Sequence, residues 1–353
     1  MDKKIKIFLG AYINRINAQN ITCRELAKYL NSERFEVYSL YHHAGTMSDL
    51  KIDNLKAFRC YRPVKFFGLI GYLWGLYKSD VAFLPRADFY KIQLYLLRFF
   101  SVKTFKSIEN IIDEDAMDTA LSVFNNDLSL IKRYYSLADS HHPITGFVGE
   151  YNLKRVQIKY NKPVLYLPTD FEEFSWISPD YSSLTEIVFI GNDFKRKRLR
   201  EFVELAKVFP NLTFHIVGKP NFPADLELTT NITYHGSLDH EQMKKLFQNI
   251  QLHFLPSRSE GFGKVTIETA AAGIPSIVYS DYGAKEWIEN WKEGIIVDDF
   301  MEVVNAIRRL LAEPYLLSEL GSGARSMAQR FDSKILVKDY ESVIYKLMDK
   351  KHD

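Results

Sequence analysis

Short apolar runs alternate with amphipathic stretches along almost the whole chain. Residues 5–9 form the first run and lead into Gly10, which predicts a strand followed by a loop to Asn20. Thr22 with Glu25 has the spacing of a capping box. Cys23, Leu26, Ala27 and Leu30 then recur at helical spacing, so an amphipathic helix is expected there. Residues 35–40, 79–84 and 102–108 read as further strands, the last two separated by an apolar helix over 90–100. A short strand ending near Ala138 and Asp139 precedes His141 and His142, and residues 163–168 read as a last short strand. The polar stretch 169–184 is expected to be a linker.

The second half repeats the alternation more sharply. Residues 186–190, 212–217 and 232–235 read as strands closed by Gly191, Gly218 and Gly236. Leu199, Phe202, Val203 and Ala206 mark one face of a helix, and Asp239 with Gln242 caps another. Strands at 252–255, 276–279 and 295–297 follow, with helices over 300–312 and 315–330 and a last one after Asp332. That last helix carries its apolar face on Leu336, Tyr340, Val343, Ile344 and Leu347. Two successive strand–helix alternations predict an α/β protein with two Rossmann-like, doubly wound domains facing across a cleft.

Composition narrows the classes. At 353 residues the chain suits two cores, and its 46% hydrophobic and 25% charged residues suit a globular protein. A net charge of +2 argues against nucleic acid as a partner. The two cysteines, Cys23 and Cys60, have neither metal-ligand spacing nor a disulfide framework, which fits a cytoplasmic setting. No secretion signal is expected at the start, because Lys6 breaks a short apolar core. The apolar run 66–77 is shorter than the roughly 20 residues needed to span a bilayer. Between 59 and 74, basic and aromatic residues mix. Two readings stand: a membrane-surface patch giving peripheral membrane contact, or a buried helix of the first sheet, which is preferred.

The chemistry concentrates in residues 251–274. An apolar strand ends at Pro256, a loop with Gly261 and Gly263 follows, and a helix runs from Val265 to Ala272, closed by Gly273 and Pro275. Glu260 lies in the loop and Glu268 inside the helix. A strand, a glycine loop and a helix N-terminus make an anion site at a sheet's carboxyl edge. Upstream, Gly191 is followed by the basic run Lys195, Arg196, Lys197 and Arg198.

Residues 260–268, EGFGKVTIE, resemble the E-x7-E motif of family 4 glycosyltransferases. The neighbours agree in order: Val188 to Gly191 with Lys197, Phe214 to Gly218, His235-Gly236, Ala270 to Pro275, and Tyr282 to Glu286. The resemblance implies the two-domain GT-B fold, with an acceptor-binding domain at 1–170 and a donor-binding domain at 171–332. It also implies that helix 333–353 packs back on the first domain. It further implies a retaining transfer from a nucleotide-diphosphate sugar to a saccharide or lipid-linked acceptor, with no cofactor and no metal.

In that pattern Glu268 holds the ribose hydroxyls and Glu260 faces the donor sugar. The amides of Phe262, Gly263 and Lys264 reach the sugar and phosphates. Lys197 neutralises the leaving diphosphate. Gly191 and Gly218 line the donor loops. Asn192 stands where the family often has an arginine, so the second cation falls to Arg196, Arg198 or Arg258, with Arg196 favoured. Where the family often has an N-terminal histidine, Glu109 stands instead. Gly10 and Glu109 are therefore the candidates of the first domain. Asp113-Glu114-Asp115 has a D-x-D form but reads as charge near a helix start. A non-catalytic sugar-nucleotide-binding subunit supporting a partner enzyme is the alternative. The expected location is the cytoplasm, with the inner face of the membrane as its alternative place.

Overall fold

The computed structural model describes residues 3–45, 52–87, 90–110, 124, 127–219, 222 and 225–349. The chain divides into two compact units, one made of Met1–Pro168 with Ser333–Asp353, the other of Thr169–Asp332.

In the first unit a six-stranded sheet has the order β3-β2-β1-β4-β5-β6. The strands are β1 (Ile5–Tyr12), β2 (Phe35–His42), β3 (Leu55–Cys60), β4 (Val81–Phe83), β5 (Lys103–Ile108) and β6 (Ser140–Pro143). Every pairing is parallel. Side chains of a strand alternate between faces, so β1 feeds two cores. Ile7 and Leu9 pack with α1 (Ala18–Tyr29) and with α11 (Ser333–Asp349). Phe8 packs on the other face with α2 (Val64–Lys78). The helices α3 (Tyr90–Leu96), α4 (Leu128–Ser136) and α5 (Gly146–Val156) complete the described part of the unit. The five apolar positions of the last helix are all buried, and four of them, Tyr340, Val343, Ile344 and Leu347, lie in the first unit's core.

Several expectations are corrected here. Gly10 lies inside β1, where a Cβ would meet the Leu84 side chain at 2.9 Å and the Phe83 carbonyl oxygen at 3.3 Å. It is a packing glycine, not part of a loop. The first helix is capped by Asn17, whose Oδ1 accepts from the Asn20 amide at 2.8 Å. Thr22 and Glu25 sit inside the helix; Asn caps at least as well as Thr. The stretch before Asp139 is helix α4, and His141 and His142 belong to β6. Residues 163–168 form no strand, since two prolines remove ladder donors, although Leu165 N still donates to Pro143 O at 2.9 Å. The edge strand β3 went unforeseen because its Lys56 and Arg59 break the apolar run. Asp113-Glu114-Asp115 lies outside the described residues.

The second unit holds a sheet of order β12-β11-β10-β7-β8-β9, again parallel throughout. Its strands are β7 (Glu186–Ile190), β8 (Thr213–Val217), β9 (Ile232–Gly236), β10 (Leu252–Leu255), β11 (Ser276–Tyr279) and β12 (Ile295–Val297). Its helices are α6 (Leu199–Val208), α7 (His240–Phe247), α8 (Lys264–Ala271), α9 (Phe300–Ala312) and α10 (Tyr315–Gln329). Asp239 and Gln242 do form the capping box of α7. The stretch 169–184 is packed on this unit and is not a free linker. Arg325 of α10 donates to Ile177 O at 2.5 Å and to Ala272 O at 3.2 Å, and Tyr181 Oη donates to Gly273 O at 2.5 Å. The same Tyr181 hydroxyl explains two glycines, because a Cβ at Gly273 or Gly321 would lie 2.6 or 2.5 Å from it.

Three histidines are buried uncharged. Burial lowers His253 to a pKa of about 3, helped by the Lys197 charge; His215 falls to about 4 through burial and its neighbour His235. His142 falls to about 4 through burial. An unfolded histidine binds its proton near pH 6.5, so between that value and 3–4 the unfolded chain holds more protons than the folded one. Stability is therefore full above pH 6.5 and falls as the pH drops. By pH 5 the expected loss is about 2 kcal/mol for the fully buried His253. Urea midpoints measured at pH 7 and pH 5 check this.

Candidate functional site

The second sheet changes direction between β7 and β10. Two loops leave that point side by side, one after β7 and one after β10. In an open parallel sheet this switch point is where ligands bind.

After β7 the chain turns through Gly191 and Asn192. The Asn192 Oδ1 accepts from the Lys219 amide at 3.0 Å, which ties this loop to the one after β8. Gly191 N donates to Val217 O at 2.9 Å, and Gly218 N donates to Gly236 O at 2.9 Å. The three glycine turns thus form one layer. A Cβ on Gly218 would lie on the Gly191 carbonyl oxygen, far inside the 3.0 Å that real Cβ atoms keep. A Cβ on Gly191 would displace the Lys197 stem in the same way. Glycine at 191 therefore lets Lys197 lie flat across the turn.

Lys197 and Arg196 both reach Glu260, which leaves β10 in the second loop. Lys197 Nζ donates to Glu260 Oε1 at 2.9 Å, and Arg196 Nη1 lies 3.1 Å from the same oxygen. Arg196 Nη1 also donates to Ser259 O at 2.6 Å. The Lys197 and Glu260 side chains are each 11% exposed. Burial raises the Glu260 pKa, but the Lys197 and Arg196 charges outweigh it and hold the carboxyl below its usual range. Arg196 Nε also lies 3.5 Å from Asp193 Oδ2, so the two cations are balanced by two carboxylates, of which only Glu260 is largely shielded from water.

Of the three arginines considered from sequence, only Arg196 meets Glu260 in this way. Arg198 pairs with Glu201 at 2.9 Å on the surface, and Arg258 pairs with Asp281 at 2.9 Å while its guanidinium stacks over Tyr279.

The loop closes on α8. Gly263 caps that helix with φ +68°, a left-handed value that suits glycine. Phe262 is 2% exposed; its ring packs on Trp287 and Phe331 with centroids 5.2 and 5.0 Å away. The ring thus anchors the loop in the core, and only its backbone is placed for ligand work. Thr266, Ile267, Thr269, Ala270 and Ala271 are buried, while Lys264, Val265 and Glu268 are partly exposed. Lys264 and Glu268, one turn apart, therefore share the single open face of α8.

Sequence reasoning gave no role to three residues here. Ser257 is fully buried, donates to Ser259 O at 3.1 Å and lowers the Glu260 pKa through its own hydrogen bond. Tyr282 is 1% exposed, and its hydroxyl is 3.8 Å from where a Gly263 Cβ would be. Burial and the Glu260 charge push its phenol well above the usual range, so it remains a proton donor. His253 lies behind the cluster, with Nδ1 2.9 Å from Ser276 Oγ. The match of Tyr282 to Glu286 touched only the second of them.

In the first unit Glu109 follows β5, and its Oε1 accepts from Ser107 Oγ at 2.7 Å. Gly10 is three strands away in sheet order from β6 and one from β4, inside the core.

Residues 170–327 match the model of the family described as glycosyl transferases group 1. This part of the chain is thus similar to group 1 glycosyltransferases. An exopolysaccharide phosphotransferase of Streptomyces coelicolor is 30% identical over 164 residues, which is 44% of this chain and 17% of that protein. Two further curated relatives are matched over 26% and 33% of their own lengths, so the chain spans a third or less of these three. Sucrose-phosphate synthase from Thermosynechococcus elongatus has a similar fold, with a TM-score of 0.78 at 16% identity over 99% of this chain and 100% of that one. HepE of Anabaena, solved in complex with UDP-glucose, gives 0.72 at 14% identity over 97% and 100%. These likenesses establish a GT-B fold. All of Gly191, Arg196, Lys197, Gly218, Glu260, Phe262, Gly263, Lys264 and Glu268 lie within the matched residues.

Proposed function

We propose that the chain transfers a sugar from a nucleotide-diphosphate sugar to a saccharide or lipid-linked acceptor, with retention of configuration and without a metal ion. The observation that carries this reading is the pair of cations, Lys197 and Arg196, held on Glu260 at the switch point of the second sheet. A departing diphosphate gains negative charge, and donors fixed in advance stabilise it without reorganising. Glu260 sets the two cations and faces the donor sugar. Glu268, on the open face of α8, takes the ribose hydroxyls as charge-assisted hydrogen bonds. The bond from the sugar's anomeric carbon to the phosphate oxygen breaks, and the acceptor oxygen bonds to that carbon from the same face. Its proton passes to a phosphate oxygen of the leaving group. Retention and metal independence rest on the resemblance of residues 260–268 to family 4.

Support for a nucleotide sugar comes from the group 1 match and from the HepE complex with UDP-glucose. The first unit is assigned to the acceptor. The assigned place of work is the cytoplasm, or the inner face of the membrane for a lipid-linked acceptor; among the described residues no helix is long and apolar enough to cross a membrane.

The purified chain is expected to transfer or hydrolyse a nucleotide sugar by itself in the presence of a chelator. Inactivity alone, with donor binding intact, would instead fit a non-catalytic subunit. Glu268→Ala is expected to weaken binding of the nucleoside diphosphate about tenfold or more, the worth of one charged hydrogen bond. Calorimetric titration reads it, and unchanged affinity would remove Glu268 from the ribose.

A further inference from the structure

Residues 55–79 contain Lys56, Arg59, Arg62, Lys65 and Lys78, and no acidic residue. Most of this stretch is helix α2, VKFFGLIGYLWGLYK, which is apolar around its whole circumference. A helix of that kind is normally buried on all sides. Here one side is not.

The side turned to the sheet is built from glycines. Gly68, Gly71 and Gly75 are buried together with Tyr72 and Leu76. A Cβ on Gly71 would strike Phe58 at 2.7 Å and Leu40 at 2.8 Å, and one on Gly75 would strike the Phe8 ring well inside 3.0 Å. The small residues bring the helix close to the sheet, and the large ones are left outside. Phe66 is 57% exposed, Ile70 38% and Tyr77 75%, with Leu73 half-buried between them. At about 100° per residue these four lie within about 60° of one another around the axis. Tyr61, 55% exposed, continues the apolar surface at the N-terminal end. Lys65, Arg62 and Arg59 are exposed at that end and Lys78 at the other.

We infer that this outer face of α2 is a docking surface for an anionic lipid bilayer. Aromatic and aliphatic side chains enter the boundary between headgroups and acyl chains, while the flanking lysines and arginines pair with phosphates. The charge decides against an apolar partner alone: Arg59, Arg62 and Lys65 flank the face at one end and Lys78 at the other, which suits a negatively charged plane, while Lys56 is already held by Glu36. The inference stands apart from the proposed sugar transfer, since vesicle binding is read without any activity.

Co-sedimentation of the full chain with vesicles tests it. Binding is expected to an equimolar mixture of phosphatidylglycerol and phosphatidylcholine, to be far weaker to phosphatidylcholine alone, and to fall as salt is raised. The double variant Phe66→Ser with Ile70→Ser is expected to lose about tenfold or more in affinity. Its thermal midpoint should stay at that of the parent, as both side chains are exposed; Tyr77→Ser serves if it does not. No binding to the mixed vesicles, or equal binding by the variants, overturns the inference. So does a concentration-dependent dimer that the double variant breaks while vesicles remain unbound, which would give the face to a second copy.

Discussion

Lys197→Ala is expected to lower the turnover number for sugar transfer by about a hundred- to a thousandfold, the usual cost of losing one fixed donor to developing charge. Lys197 Nζ is held 2.9 Å from Glu260 Oε1, and its side chain is 11% exposed, so water cannot easily take its place. Arg196 remains beside the same oxygen at 3.1 Å, and donor binding should weaken far less than turnover does. Lys197→Arg keeps the charge but places a planar fork where a straight stem crosses the Gly191 turn, so it should restore only part of the rate. Steady-state kcat and KM with the purified chain separate the two effects. A fall of less than tenfold in kcat would mean that Lys197 is structural.

Gly218→Ala is expected to destabilise the second unit strongly. Its Cβ would land on the backbone oxygen of Gly191, and neither side can rotate away. The layer of turns is closed by hydrogen bonds of 2.9 Å from Gly191 N to Val217 O and from Gly218 N to Gly236 O. Relieving the clash breaks one of them. A loss of about 3 kcal/mol follows from overpacking and backbone strain together. For a unit of this size that lowers the thermal midpoint by roughly 6–12 °C. Gly236→Ala is the comparison. Its φ is +71°, but the nearest atom to a new Cβ is 4.0 Å away. It should cost only the left-handed strain, about 1–2 kcal/mol. Equal midpoints for the two variants would show that the glycine layer yields.

The second unit was the more legible from sequence, and the reason is physical. Its strands β7, β10, β11 and β12 are covered on both faces, so each is a continuous apolar run, and glycine or proline marks most of the ends. The first unit hides its edges. β3 is half-exposed and carries charge, so its sequence lacks the run. Residues 163–168 do have the apolar run, but their prolines cannot donate to a ladder. Asn17 and Thr22 offer equivalent caps, and only the packed helix shows which one is used. For α2, composition left burial and exposure as rival readings. The structure buries one side and leaves the other exposed, because glycines set the depth at which the helix rests on the sheet.

By itself the sequence determined the α/β alternation, the glycine turns and the eight-residue step from Glu260 to Glu268, since all three are written in local spacing. Tertiary structure alone decided that Lys197 and Arg196 share one oxygen of Glu260. They lie 63 and 64 positions from it along the chain, and only the pairing of β7 with β10 brings the two loops together. It also decided that the Phe262 ring serves the core while Gly10 serves a strand. Spacing along a chain specifies which groups can share a face of one element. Which elements lie side by side follows from how two sheets bury their apolar faces, and that is settled only when the whole core closes.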